Sequence, residues 1–244
     1  MVLLMGLIPI QWGNMYYTDF ASKKPIETKI YKDFFTIEEL AAITDCINKQ
    51  KELEFNSDFY APVIQSALSR VHIEVNYPKD ILKKLEDFAS QLCGERVVLT
   101  HNSYYHYSKE YNPEIETPVL KPHRDLDNYY SKLTLDYQLE KNVDWDIIIE
   151  DQRYSLEVGD MLAFWGAGLV HWRENIILDE KESTSVLTLH FSNEEDYKNL
   201  NQIARIPEER EKRKLQNFQD KIFQGYTKKW EQERVDFNSK TKGV

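Results

Sequence analysis

Cysteine is scarce in this 244-residue chain, with Cys46 and Cys93 the only two. They are far apart, and no Cys-x-x-Cys occurs, which excludes a zinc ribbon, a thioredoxin-type motif and a disulfide framework. Basic charge is also in deficit: 31 Lys and Arg stand against 41 Asp and Glu, for a net charge of −10. With a pI near 5.2, the chain lacks the basic footprint on which nucleic-acid affinity is built. Long hydrophobic runs are missing. Met1–Ile10 is apolar but has no basic start and about half the length of a membrane span, and no other stretch comes closer. A cytoplasmic protein with no membrane partner is the expectation. Eight glycines and eight prolines form no low-complexity linker, and there is no internal repeat.

What is present is core material. Hydrophobic residues make up 41% and aromatics 13% of the chain, enough to bury a core, while 30% charged residues and a mean hydropathy of −0.60 describe a well-hydrated surface. At roughly 150 residues per domain the length favours one integrated domain with appendages.

Three zones are distinguishable. Residues 1–94 hold two amphipathic helices. Thr36 and Glu39 have capping-box spacing ahead of a stripe of Ile37, Leu40, Ile43 and Ile47, and Pro78 and Asp80 precede Ile81, Leu82, Leu85, Phe88 and Leu92. Between them, Phe59–Val63 and Val71–Val75 leave room for an edge strand. In residues 95–192 the period shifts towards 2. Leu133, Leu135, Tyr137 and Leu139 alternate with Lys132, Thr134, Asp136 and Gln138, and further short strands are predicted at Val97–Tyr107, Trp145–Ile149, Tyr154–Val158, Met161–Trp165, Leu169–Arg173 and Val186–Phe191. Close-spaced strands with turn signals such as Gly159-Asp160 and Gly166-Ala167-Gly168 predict a mainly β, jelly-roll-like core with flanking helices. Residues 193–244 read as a charged helical extension whose stripe is Leu215, Phe218, Ile222, Tyr226 and Trp230 after Pro207. That stripe suits packing on the sheet or a homodimer contact.

Five of the six histidines lie in or near the β zone. His123 and Asp125 are two positions apart, so on a strand they share a face and can grip one ion together. His171 follows on a separate strand. Two histidines and a carboxylate on one face leave about three open positions on an octahedral ion, the arrangement of non-heme Fe(II) oxygenases. A His-x-Asp pair also arises by chance, and His171 beside Trp172 fits equally a satisfied core histidine. The strand-like flanks and the glycine turn ahead of His171 favour the metal reading.

Four stretches then resemble, in order, the signature strands of the 2-oxoglutarate/Fe(II)-dependent oxygenases, nearest to the compact prolyl-hydroxylase-like branch. They are Tyr105-His106-Tyr107 with Lys121-Pro122-His123-Arg124-Asp125, Lys132–Tyr137, Gly159–Phe164, and His171-Trp172-Arg173-Glu174. The resemblance spans about residues 95–192. It implies a distorted double-stranded β-helix and an iron triad of His123, Asp125 and His171. It also implies 2-oxoglutarate and O2 as co-substrates, with oxidation of a C–H to give succinate and CO2. Tyr107, with Tyr105 as a weaker candidate, stands where the family often has a tyrosine reaching 2-oxoglutarate; barrel packing is the other reading of both.

One departure concerns the distal carboxylate of 2-oxoglutarate. The family places a cation on the last core strand, but here that stretch reads Ser183-Thr184-Ser185-Val186-Leu187-Thr188. Lys181 sits in the turn ahead of it. Arg173, two residues after His171 and on the same face, is the substitute, because a planar guanidinium binds a carboxylate in bidentate fashion. Its alternative is a surface ion pair with Glu174 or Asp179. Lys132, sharing a face with Thr134, is the reserve. Asp125 disfavours halogenation within the resemblance, since halogenating relatives lack that carboxylate. Thr188 and His190 share a face on a late strand that can line the pocket, with core packing the leading reading, and Ser108–Pro122 reads as a lid loop. A free amino acid or other small metabolite is the expected substrate. A peptide side chain, a cupin-type iron enzyme without 2-oxoglutarate and a non-catalytic jelly roll stay as alternatives.

Overall fold

The structure is a computed structural model that describes residues 24–55, 63–65, 70–109, 120–125, 131–198 and 221–241. Residues 1–10, most of Phe59–Val63, the stretch from Pro207 to Phe218 and residues 110–119 of the expected lid lie outside the described residues.

Two helices lie in the first zone of the chain. In α1 (Ile37–Phe55) the Glu39 amide donates to Thr36 Oγ1 at 3.2 Å, and the Thr36 amide donates back to the Glu39 carboxylate at 2.8 Å. This is the reciprocal cap that the spacing predicts. Ile43 and Ile47 are buried; Ile37, at the first helical position, is 82% exposed and lies off the stripe. The second helix, α2 (Lys79–Cys93), follows Pro78 and ends at Gly94, whose φ of 68° suits a residue without Cβ. Its buried face is Ile81, Leu85, Ala89 and Cys93.

Eleven strands form two antiparallel sheets among the described residues. They are β1 (Lys29–Tyr31), β2 (Val63–Gln65), β3 (Arg70–Ile73), β4 (Val98–Ser108), β5 (Leu120–His123), β6 (Leu133–Lys141), β7 (Ile147–Ile149), β8 (Gln152–Tyr154), β9 (Met161–Phe164), β10 (His171–Arg173) and β11 (Ser183–Ser192). The large sheet has the order β1-β9-β6-β11-β4-β3-β2 and the small one β5-β10-β7-β8. No strand pairing closes the two into one barrel among the described residues. Strands β1 to β3, from the first zone of the sequence, belong to the large sheet, and β3 is an inner strand between β4 and β2 rather than an edge.

Alternation assigns each side chain of the large sheet to a layer. Leu133, Leu135 and Tyr137 of β6, Leu187 and Leu189 of β11 and Tyr104 of β4 pack with the buried faces of α1 and α2 in one hydrophobic cluster. The residues between them, Thr134, Asp136, Tyr105, Tyr107, Val186, Thr188 and His190, line a cavity on the opposite face. Across that cavity stand His123 of β5 and His171 and Arg173 of β10. Ile147 and Ile149 of the small sheet meet Leu162 and Phe164 of the large one beside it. The outer face of the small sheet, with Ile148 and Trp172, is covered by Trp230, Phe223 and Tyr226 of α3 (Lys221–Thr241). The layers therefore run helices, large sheet, cavity, small sheet, helix. No described helix is long and apolar enough to cross a membrane.

Cys93 illustrates the helix–sheet seam. It is fully buried, and burial pushes its thiol up to about 12, whereas Cys46 is half-buried. Since the thiolate is the reactive form, iodoacetamide at pH 8 should leave Cys93 unlabelled in the native protein and label it after unfolding. Peptide mapping by mass spectrometry reads the outcome.

Candidate metal centre

The turn and strand positions bring His123, Asp125 and His171 together. Their three donor atoms lie within 4.8 Å of one another. His123 and His171 face each other directly in the β5–β10 pairing, with ring centroids 4.2 Å apart. Asp125 follows β5 and is held in place by its amide, which donates to the Gly166 carbonyl at 2.9 Å.

Each imidazole is oriented from behind. His123 Nδ1 is 2.8 Å from the Lys121 carbonyl, and His171 Nδ1 is 3.0 Å from the Leu169 carbonyl. A carbonyl only accepts, so Nδ1 carries the proton in both rings and Nε2 presents its lone pair. Both Nε2 atoms point at the same carboxylate oxygen, Asp125 Oδ1, at 3.8 Å from His123 and 3.5 Å from His171. The other oxygen, Oδ2, accepts a 2.6 Å hydrogen bond from Thr134 Oγ1. His190 Nδ1 lies 3.6 Å from Oδ2 and 3.4 Å from the threonine hydroxyl. Two imidazole lone pairs and one carboxylate oxygen thus converge, while the remaining donors and acceptors of all three residues are tied to protein. This donor set fits a divalent first-row ion such as Fe(II).

The electrostatics agree. Asp125 is 5% exposed; burial alone would raise its carboxyl, but His171 and His190 hold it well below the usual carboxylate range. Burial also lowers the imidazole of His171, and Asp125 outweighs it, so the net shift is upward. His190 is buried and shifted downward, chiefly by that burial.

Gly166, in the turn ahead of β10, is part of this arrangement. A Cβ there would sit 2.0 Å from Thr134 Oγ1 and 2.2 Å from Asp125 Oδ2. The space beside the carboxylate exists because this residue has no side chain.

The centre opens into a cavity of about 280 Å³. Tyr105, Tyr107 and Arg173 line it, as a role in the site would require. Tyr107 is buried against the edge of Trp145, ring centroids 4.8 Å apart. Arg173 is 3% exposed; its Nη1 donates to the Trp145 carbonyl, and its guanidinium lies 5.1 Å from the Trp145 ring. The surface-pair reading of Arg173 therefore does not hold: Glu174 pairs with Arg153 instead, at 2.6 Å. Burial lowers the Arg173 pKa, with Asp136 opposing that shift. Lys132 is placed elsewhere. It precedes the first residue of β6, and its Nζ bonds Glu95 and Asp196 at 3.0 Å each, away from the cavity.

Two cavity residues, Thr134 and Asp136, are not evident from the sequence as site residues, and two more, Thr188 and His190, are read there as core ahead of pocket. Thr188 and His190, expected in the core, face the cavity, and Thr134 anchors the carboxylate. Asp136 is 6% exposed in the cavity wall, and burial raises its carboxyl. The alternation of β6 was the signal available for Thr134 and Asp136, since it puts both on the face opposite Leu133 and Leu135.

No protein-family model matches the sequence, and no curated protein is similar to it. Solved structures share its fold. EctD from S. alaskensis, in complex with 2-oxoglutarate and 5-hydroxyectoine, superposes with a TM-score of 0.52 at 12% identity, over 72% of this chain and 75% of that one. The apoform of EctD gives 0.51 at 11% identity over 72% and 76%. SnoN, a non-heme alpha-ketoglutarate-dependent epimerase from nogalamycin biosynthesis, gives 0.50 at 12% identity over 75% and 83%.

The anchoring of Asp125 can be tested by metal titration. Thr134→Val removes the hydroxyl from Oδ2 at constant volume, and Gly166→Ala drives a methyl between the two. Each should weaken Fe(II) binding about 10- to 100-fold, the usual cost of losing an outer partner of a ligand, measured by anaerobic calorimetry on protein of unchanged circular dichroism.

Proposed function

We propose that this chain is a 2-oxoglutarate- and Fe(II)-dependent oxygenase that oxidises, most simply by hydroxylation, an unactivated C–H of a small molecule such as a free amino acid. The observation that carries this reading is the convergence of His123 Nε2, His171 Nε2 and Asp125 Oδ1 in a cavity that also holds one deeply buried cation, Arg173. The shared fold of EctD and SnoN supports it. On this reading the two sheets are the walls of a distorted double-stranded β-helix. Residues 95–192 form the catalytic core, with the first zone and the C-terminal helix as its supports.

Fe(II) with 2-oxoglutarate and O2 would supply the oxidation, one oxygen atom entering the substrate and the other succinate, with CO2 released. The residues of the chain do the positioning. The Nδ1–carbonyl bonds fix both rings so that no reorientation is needed on binding the ion. Asp125, kept ionised by its surroundings, contributes the single negative charge of the triad. Arg173 offers Nη2, buried and without a hydrogen-bond partner among the described residues, to the distal carboxylate of 2-oxoglutarate. The Trp145 ring and carbonyl fix the guanidinium plane, so little side-chain freedom is lost on binding. Tyr107, packed on the same Trp145, and Tyr105 complete that wall. A small-molecule substrate is favoured by the size of the cavity and by the 5-hydroxyectoine bound to EctD.

The test is an anaerobic titration of the metal-free protein with Fe(II) and then 2-oxoglutarate, following the visible metal-to-ligand charge-transfer band. The wild type should give a saturable band. His123→Ala should lose iron binding, and Arg173→Ala should raise the Kd for 2-oxoglutarate at least 10-fold while changing that for Fe(II) less than about 2-fold. Iron binding without a band would instead indicate a cupin-type centre, and the absence of both a non-catalytic jelly roll.

A further inference from the structure

Two oppositely charged side chains of the cavity each keep one buried polar atom without a hydrogen-bond partner among the described residues: Nη2 of Arg173 and Oδ1 of Asp136. Both residues are more than nine-tenths buried. The two atoms are not bonded to each other, yet each residue is the leading charged influence on the other. Each is also fixed by its remaining atoms. Arg173 Nη1 is held by the Trp145 carbonyl, and Asp136 by the hydroxyl of Thr188, its partner across β6 and β11.

Their positions in the strands place them at one end of the cavity. Arg173 is two residues beyond His171 in β10, and Asp136 is two residues beyond Thr134, which holds Asp125, in β6. Two residues of strand advance roughly 7 Å, about the reach of a short 2-oxo acid chelated at the triad. The end group of such a molecule would therefore meet a donor and an acceptor together.

A carboxylate suits only half of that arrangement. It accepts from Arg173, but beside Asp136 it either sets a second negative charge in a dry site or requires Asp136, whose carboxyl burial already raises, to take up a proton before it can donate. A carboxamide suits both, its oxygen accepting from Arg173 and its N–H donating to Asp136. We propose that Asp136 is a specificity-determining residue which, with Arg173, makes the far end of the cavity prefer 2-oxo acids ending in a neutral group that both donates and accepts hydrogen bonds, a carboxamide above all, over those ending in a carboxylate. This rests on the reading of the centre as an iron and 2-oxo acid site. 2-Oxoglutarate is then a ligand held against an opposing charge.

The experiment compares two unreactive probes, the oxalyl derivatives of glycine and of glycinamide, which differ only in a terminal carboxylate against a carboxamide. Each is titrated calorimetrically, without O2, into the Fe(II)-loaded full chain at pH 8. The wild type should bind the glycinamide derivative at least 10-fold more tightly. Asp136→Asn, isosteric and uncharged, should tighten binding of the glycine derivative and of 2-oxoglutarate at least 10-fold while leaving Fe(II) affinity unchanged. Should Asp136→Asn not fold, Asp136→Ser takes its place, and the wild-type comparison stands alone in any case. A wild type that prefers the glycine derivative, or a variant with no gain for it, overturns the proposal and leaves the oxygenase reading intact. Failure of both probes and of 2-oxoglutarate to bind either protein, with Fe(II) bound, overturns the oxygenase reading and this proposal with it.

Discussion

A carboxylate moved from water into a protein interior keeps its charge only where hydrogen bonds and positive charge replace its hydration. Asp125 is in that position, and much of the surrounding structure follows from it. One oxygen is satisfied by Thr134, which requires β6 to turn its polar face to the cavity; the other faces His123 and His171. The backbone is tied to Gly166, and the absence of a side chain there leaves room for the Thr134–Asp125 bond. His190 enters from β11 directly opposite Thr134. Four separate segments are thus brought into register by one buried charge. An ion bound at Oδ1 would complete its compensation.

The large sheet inverts the usual meaning of alternation, and this decides what could be read in advance. In a sheet with one solvated face the apolar side marks the core and the polar side marks water. Here the apolar side of β6 and β11 packs on α1 and α2, and the polar side lines the cavity. The alternation at Leu133–Leu139 therefore gives the two faces correctly, but Thr134 and Asp136 look like solvent-facing positions, and the shared face of Thr188 and His190 reads as core ahead of pocket, until the second sheet is placed over them. His-x-Asp and the later histidine are legible because metal chemistry constrains residue type as well as position. Arg173 is legible through its i+2 relation to His171. Lys132, which shares the parity of Thr134, departs because regular strand geometry begins one residue later. Parity then no longer fixes its direction, and two nearby carboxylates capture it.

Turn chemistry accounts for the other differences. The expected strand at Tyr154–Val158 is found at Gln152–Tyr154, because β7 reverses tightly into β8 through Glu150, whose φ is 54°. Glycine and asparagine are the residues that advertise such a reversal, and a glutamate in that conformation gives no such sign. The capping box of α1 and the Gly94 stop of α2 lie at the opposite extreme, since local hydrogen bonding and backbone sterics determine them without reference to distant partners.

The small sheet shows how a strand of three residues can orient two cavity-facing groups. His171 and Arg173 face the cavity, so Trp172 between them faces outward, where it is fully buried against Tyr226 and the residues around Trp230. A three-residue strand has few ladder hydrogen bonds with which to resist twisting. β10 is instead held on both edges, by β5 and β7, and from behind by an indole that α3 covers. Rotation of the strand about its axis would have to pull Trp172 out of that cluster, exposing a large aromatic surface at a cost of several kcal/mol. The direction of the cavity-facing imidazole and of the buried guanidinium is in this way set from the outer side of the sheet. A helix packed on the outer side of the small sheet belongs, mechanically, to the site.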